Sequence, residues 1–127
     1  MDNKKVLIIE DDTFLSDMYQ TKFNSEGFDI TMAEDGESGL KLLTDGLNPS
    51  VILLDIVMPK MDGIETLAKI KEMDEVKDIP VITLTNLGQK EEIDKAMGLG
   101  AKTYLIKANY TPSEVVKKVS ETLESNN

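Results

Sequence analysis

The stretch Val51-Ile52-Leu53-Leu54-Asp55-Ile56-Val57-Met58-Pro59 runs apolar residues straight into a single carboxylate, and a proline follows soon after. An unbroken apolar run rich in branched side chains predicts a strand buried on both faces of a parallel sheet. Asp55 then stands at the C-terminal end of that strand, where open α/β sheets place their ligands. A carboxylate in that place serves as a helix cap, a metal ligand or a nucleophile. The flanking sequence has to decide among the three.

Upstream, Lys5-Val6-Leu7-Ile8-Ile9 is a first strand that ends in Glu10-Asp11-Asp12. Asp12 or Thr13 suits the cap of a following helix. That helix carries Phe14, Leu15, Met18, Tyr19 and Phe23 as its apolar stripe and stops at Gly27. Phe28 to Met32 alternates and predicts an edge strand with one wetter face. Asp35-Gly36 turns into a second helix with Leu40, Leu43 and Leu47 in register, closed by Asn48-Pro49.

Downstream, Asp62 and Glu65 form a capping pair for a third helix whose buried side is Ile64, Leu67, Ala68 and Ile70. Val81 to Thr85 is a fourth strand. Gln89 to Gly98 is a short helix with Ile93, Ala96 and Met97 inward, and Met58, Met61 and Met97 read as packing residues. Lys102 to Ile106 is a fifth strand ending at Lys107. Thr111-Pro112-Ser113-Glu114 opens the last helix with a cap, a first-turn proline and a capping-box glutamate. Strand and helix alternate five times. This predicts an α/β fold, a doubly wound (βα)5 sandwich with right-handed crossovers around one parallel sheet.

The 127 residues match one domain, 1–127, with no linker and no output domain. There is no cysteine and no histidine. Thiol chemistry, imidazole bases and His-ligated metals are therefore excluded. The net charge is −10, and all 14 basic residues are lysine. Such a surface repels nucleic acid and lacks arginine's fork for phosphates and bases, so direct DNA contact is not expected. No apolar stretch approaches a membrane span, and Met1 to Lys5 lead into a strand without a signal peptide, so a cytoplasmic location is expected.

All strand C-termini of a parallel sheet lie along one edge. Here that edge collects Glu10 and Asp11, Asp55, Thr85 and Lys107. Two carboxylates about 4–5 Å apart repel by roughly 3–4 kcal/mol at an effective dielectric near 20. A divalent cation among them removes that repulsion. Hard oxygen ligands without nitrogen or sulfur favour Mg²⁺, with Mn²⁺ as the other candidate, and they are too few for a closed Ca²⁺ cage. Lys107 adds a point charge and Thr85 a donor for an incoming phosphoryl oxygen. Asp55 as nucleophile would then form an aspartyl phosphate.

The chain resembles a receiver domain of two-component response regulators, similar to the stand-alone chemotaxis regulator. The resemblance is carried by Ile8-Ile9-Glu10-Asp11-Asp12, by Leu53 to Pro59 with Met61-Asp62-Gly63, by Val81 to Thr85, and by Gly100-Ala101 with Tyr104-Leu105-Ile106-Lys107. It implies a flavodoxin-like sheet of order 2-1-3-4-5. Asp55 would accept phosphate from the phosphohistidine of a sensor histidine kinase or phosphotransfer protein. Asp11, Asp55 and the Val57 backbone carbonyl would hold Mg²⁺, with Glu10 acting through water. Thr85 and Lys107 would contact the phosphoryl group, and Tyr104 would swing inward with Thr85. The surface of the fourth helix, fifth strand and fifth helix would then change its preference for a downstream protein target. The chain would not be a conventional enzyme, although it would catalyse its own phosphorylation and slow dephosphorylation. Without arginine, a monomer or weak dimer is expected.

Three positions depart from the family pattern. Ala108 stands where a proline, usually in a cis bond, follows the lysine; a trans bond and a shifted loop are expected here. Asn86 replaces a small residue and narrows the space for Tyr104. Val57 and Leu87 flank the path of an attacking water and cannot orient it, which predicts slow dephosphorylation. A phosphatase with an aspartate nucleophile needs a second Asp at Val57. An FMN site needs a first loop that does not repel phosphate. Gly98 to Thr103 lacks the lysine spacing of a P-loop. The alternative to a phosphorylation switch is a receiver-shaped adaptor that binds a partner without phosphorylation.

Overall fold

The computed structural model describes residues 4–58, 61–86 and 89–125. The strands are β1 (Lys5–Ile9), β2 (Asp29–Ala33), β3 (Val51–Asp55), β4 (Val81–Thr85) and β5 (Thr103–Ile106). The helices between and after them are α1 (Thr13–Ser25), α2 (Gly36–Thr44), α3 (Gly63–Lys71), α4 (Lys90–Gly98) and α5 (Pro112–Ser125), with a short 3₁₀ turn at Lys107–Asn109. All neighbouring strands pair in parallel in the order β2-β1-β3-β4-β5. β2 is the expected edge, and every residue of β3 is buried.

Alternation along the strands sends side chains to two cores. On one face Leu7, Ile9, Ile52 and Leu54 pack with Leu43 of α2, Leu67 and Ile70 of α3, and Ala96 of α4. On the other, Val6, Ile8, Leu53, Ile82, Leu84 and Leu105 pack with Tyr19 and Phe23 of α1 and with Val115, Val116, Val119 and Leu123 of α5. The helix starts follow the sequence signals. Asp12, Asp35 and Asp62 each accept a hydrogen bond from the backbone N–H three residues on. Thr111 and Glu114 close a reciprocal capping box at 2.9 and 3.2 Å.

Three expectations need correction. Phe14 is 75% exposed and Met18 is also outside, so neither belongs to the buried stripe of α1. Ser16, Tyr19 and Phe23 define that stripe, with Leu15 partly buried beside them. At 3.6 residues per turn Phe14 lies about 170° round the helix from its centre. Met97 is likewise exposed, because Ala96 is the buried residue of α4. The second helix ends at Thr44, before Asn48-Pro49. Gly46 adopts φ +111°, which favours glycine, and its N–H closes onto Leu43 O while that of Leu47 reaches Leu42 O. Leu47 still covers the core from outside the helix.

Candidate phosphoacceptor site

Strand register brings the charged residues to one face. Ile8 pairs with Leu53, and Leu84 pairs with Leu105 and with Asp55. Residues two steps on from Ile8, Leu53 and Leu105 therefore share the α1/α5 side of the sheet. They are Glu10, Asp55 and Lys107. The Lys107 ammonium lies 2.8 Å from Glu10 Oε1 and 3.2 Å from Asp55 Oδ1. Both carboxylates are about 2% exposed. Asp11 is exposed at the rim, and Glu10, Asp11 and Asp55 each offer an oxygen within 4.8 Å of the others. The bond after Lys107 is trans, since no described peptide bond is cis. The 3₁₀ turn with Ala108 thus brings the lysine to the carboxylates without a proline.

The electrostatics are those of a site short of positive charge. The Asp55 carboxyl is pushed up to about 8, by burial first and then by the hydrogen bond and charge of Glu10; Lys107 opposes the shift. Burial lowers the affinity of Lys107 for its proton, but the two carboxylates outweigh burial and its pKa is raised. Glu10 Oε1 is buried, and its partner is the Lys107 ammonium at 2.8 Å. Fully ionised, the three carboxylates and one ammonium would leave two negative charges. An oxygen-only donor set and this charge deficit together fit a hard divalent cation.

The Val57 N–H donates to Asp55 Oδ1 at 3.3 Å, and Val57 is 48% exposed. Leu87 and Pro59 lie outside the described residues. Thr85 is fully buried, but it pairs with Ile106 and so faces the α3/α4 side, away from Asp55. Its hydroxyl donates to Asn86 O at 3.4 Å. Tyr104 pairs with Thr83, shares that face with Thr85, and is 41% exposed. Thr85 and Tyr104 are therefore neighbours on one side of the sheet, and the acids with Lys107 on the other.

Gly63 was visible in the sequence only as the glycine of Asp62-Gly63, and its task is steric. Its N–H donates to Ile56 O at 2.7 Å, and a Cβ there would penetrate the backbone of Asp55 and Ile56. α3 thus begins in contact with the end of the strand that carries Asp55. Gly63→Ala is expected to destabilise the fold by about 1–3 kcal/mol. By displacing Asp55 it should also slow phosphoryl uptake roughly 10- to 100-fold. Thermal unfolding and uptake from acetyl phosphate measure the two effects; wild-type values for both would show that the loop accommodates the methyl group.

The family model for the response regulator receiver domain matches residues 6–120. The transcriptional regulatory protein CpxR of Klebsiella pneumoniae is 38% identical over 117 residues, which are 91% of this chain and 47% of CpxR. The alkaline phosphatase synthesis transcriptional regulatory protein PhoP of Bacillus subtilis is 34% identical over 95% of this chain and 49% of its own. The chain thus spans about half the length of these curated relatives. Among solved structures, the receiver domain of the Francisella response regulator 1452 superposes with a TM-score of 0.86 at 31% identity, covering 98% of this chain and all of that one. The CheY-like receiver domain protein of Methanospirillum hungatei gives 0.88 at 26% identity, covering 98% and 96%.

Proposed function

The chain belongs to the response regulator receiver domain family, and we propose that it is a phosphorylation-driven switch in which Asp55 is the acceptor. The observation that carries this reading is the buried Asp55 carboxylate with Lys107 at 3.2 Å, at the C-terminal edge of the sheet and within an all-oxygen acid cluster. An Asp55 oxygen attacks the phosphorus of a phosphohistidine on a sensor kinase or phosphotransfer protein. The P–N bond breaks, its electron pair goes to the ring nitrogen, and an acyl phosphate forms.

Glu10, Asp11, Asp55 and the Val57 carbonyl would hold Mg²⁺, which supplies charge neutralisation to the phosphoryl oxygens when bound. Lys107 stays an ammonium and pairs with a phosphoryl oxygen as the group arrives. Thr85, drawn toward that group, vacates space on the α3/α4 side, and Tyr104 on the same face follows. The altered surface then selects a downstream protein. Two-state switching of this kind needs only a charge event at one end of a packed element. The location is cytoplasmic and nucleic acid is not touched directly, in keeping with the net charge of −10. No helix among the described residues is long and apolar enough to cross a membrane.

Intact mass after incubation with acetyl phosphate and Mg²⁺ tests the reading. One added phosphoryl group is expected. No uptake, together with partner binding that ignores beryllofluoride, would favour the phosphorylation-independent adaptor. The lifetime of the acyl phosphate is a separate expectation. Val57 is apolar and offers nothing to orient water, as is Leu87, so decay should be slow. Val57→Asn with Leu87→Glu is expected to speed decay by about 10-fold or more. An unchanged half-life in Mg²⁺ buffer would count against this account of the water path.

A further inference from the structure

Gly36 is the first residue of α2 and is buried. Its backbone does not call for glycine, because the positive φ values belong to Gly27, Gly46 and Gly100. An alanine in the same place would lose less conformational entropy on folding. Space supplies the reason instead. A Cβ at Gly36 would overlap the Thr66 hydroxyl and come within 3.2 and 3.3 Å of Met61 Sδ and Cγ. The start of α2 therefore lies bare against both the loop before α3 and the first turns of α3.

That contact has little slack. Thr66 is wholly buried, and its hydroxyl donates to Asp62 O at 2.8 Å. Branching at Cβ leaves the side chain few other rotamers, and turning it would break this bond. α2 cannot back away without lifting Leu40 and Leu43 from the core. At Gly63 the same segment closes on β3: its N–H reaches Ile56 O at 2.7 Å, and a Cβ there would meet the Asp55 carbonyl. The stretch from Met61 to Thr66 is thus held between two bare backbones, Gly36 on the α2 side and its own Gly63 against Asp55. Close-packed interiors transmit a displacement of this kind instead of absorbing it.

We propose that Gly36 is a positioning residue for Asp55: its bare backbone sets how closely α2 approaches Thr66 and Met61, and through the Gly63 contact this fixes where the Asp55 end of β3 lies. The consequence for phosphoryl uptake rests on the function proposed above; the contact between α2 and α3 does not.

The test crosses Gly36→Ala with Thr66→Ala. It reads the folding constant by urea unfolding in EDTA, and the rate of phosphoryl uptake from acetyl phosphate and Mg²⁺ at a temperature where each variant is folded. Gly36→Ala is expected to lower the folding constant about 10- to 100-fold. It is expected to slow uptake by the folded protein about 10-fold or more. Thr66→Ala removes the overlapped hydroxyl, and beside it Gly36→Ala should change either quantity by less than about 3-fold. Beside Thr66→Ser, whose hydroxyl stays but can turn, the losses should be intermediate; this pair keeps both readings available if Gly36→Ala does not fold alone. Leu123→Ala, in the last turns of α5, separates positioning from general loosening. It should lower the folding constant at least about 10-fold and leave the uptake rate unchanged. Additive effects of the Gly36 and Thr66 substitutions on folding overturn the contact. Uptake that is unchanged by Gly36→Ala, or slowed as much by Leu123→Ala, overturns the positioning role and leaves the proposed function standing. A wild type that takes up no phosphoryl group removes the proposed function, and with it the role of Gly36 in phosphoryl transfer, even where the folding constants couple.

Discussion

Asp55→Asn is expected to eliminate phosphoryl uptake, from acetyl phosphate or from a phosphorylated histidine donor, by roughly 100-fold or more. The amide has nearly the same shape as the carboxylate, so the pocket around Ile56, Leu84 and Lys107 need not change. Lys107 keeps its 2.8 Å partner in Glu10. What disappears is the anionic oxygen that forms the new bond to phosphorus, and no neighbour replaces it. Glu10 sits two strand positions past Ile8 and holds the lysine, and Asp11 is at the exposed rim. Intact mass and hydroxylamine sensitivity of the product measure the effect. Uptake at the wild-type rate by Asp55→Asn would move the acceptor to another carboxylate and remove the basis of the proposed function.

The same substitution should make the cation-free protein more stable. The fold holds the Asp55 carboxyl up to about 8, against 3.8 for an ordinary aspartate. The folded chain therefore keeps a proton that the unfolded chain releases between those values. Stability falls as pH rises from about 4 to about 8 and levels off above. Asp55→Asn removes one of the crowded charges, leaves a balanced Glu10–Lys107 pair, and removes this slope. Relief of an ill-compensated buried charge is worth about 1–4 kcal/mol. In a chain of this size that corresponds to roughly 3–5 °C in Tm per kcal/mol. Mg²⁺ at 100 times its dissociation constant should add about 2.7 kcal/mol to the wild type and much less to Asp55→Asn. Thermal unfolding in EDTA and in Mg²⁺, at pH 5 and pH 8, measures all three effects. An Asp55→Asn protein that is less stable than wild type in EDTA at pH 8 would mean that Lys107 compensates Asp55 fully.

Much of this architecture is legible because it is written in local periods. The apolar run before Asp55 identifies a strand buried on both faces, and β3 has that burial throughout. Thr111-Pro112-Ser113-Glu114 states its own helix start, since cap and glutamate are three residues apart on one chain. Phe14 and Met18 misled for the opposite reason. α1 carries more apolar residues than one face can bury, and only packing on the sheet selects Ser16, Tyr19 and Phe23 over Phe14 and Met18. Gly46 ended α2 earlier than Pro49 suggested, because a left-handed glycine stops a helix as firmly as a proline.

The sequence by itself determined that acids, a hydroxyl and a lysine would meet along one sheet edge, because parallel strands place their C-termini together. Only the tertiary structure decided how they meet. Register sets Glu10, Asp55 and Lys107 on the α1/α5 face and Thr85 with Tyr104 on the other. It makes Glu10 the nearer partner of Lys107, at 2.8 Å against 3.2 Å for Asp55. It also brings Gly63 against the Asp55 backbone. These are contacts between residues far apart in the chain. No period within a single strand or helix encodes them, and they follow from how the helices pack onto the two faces of the sheet.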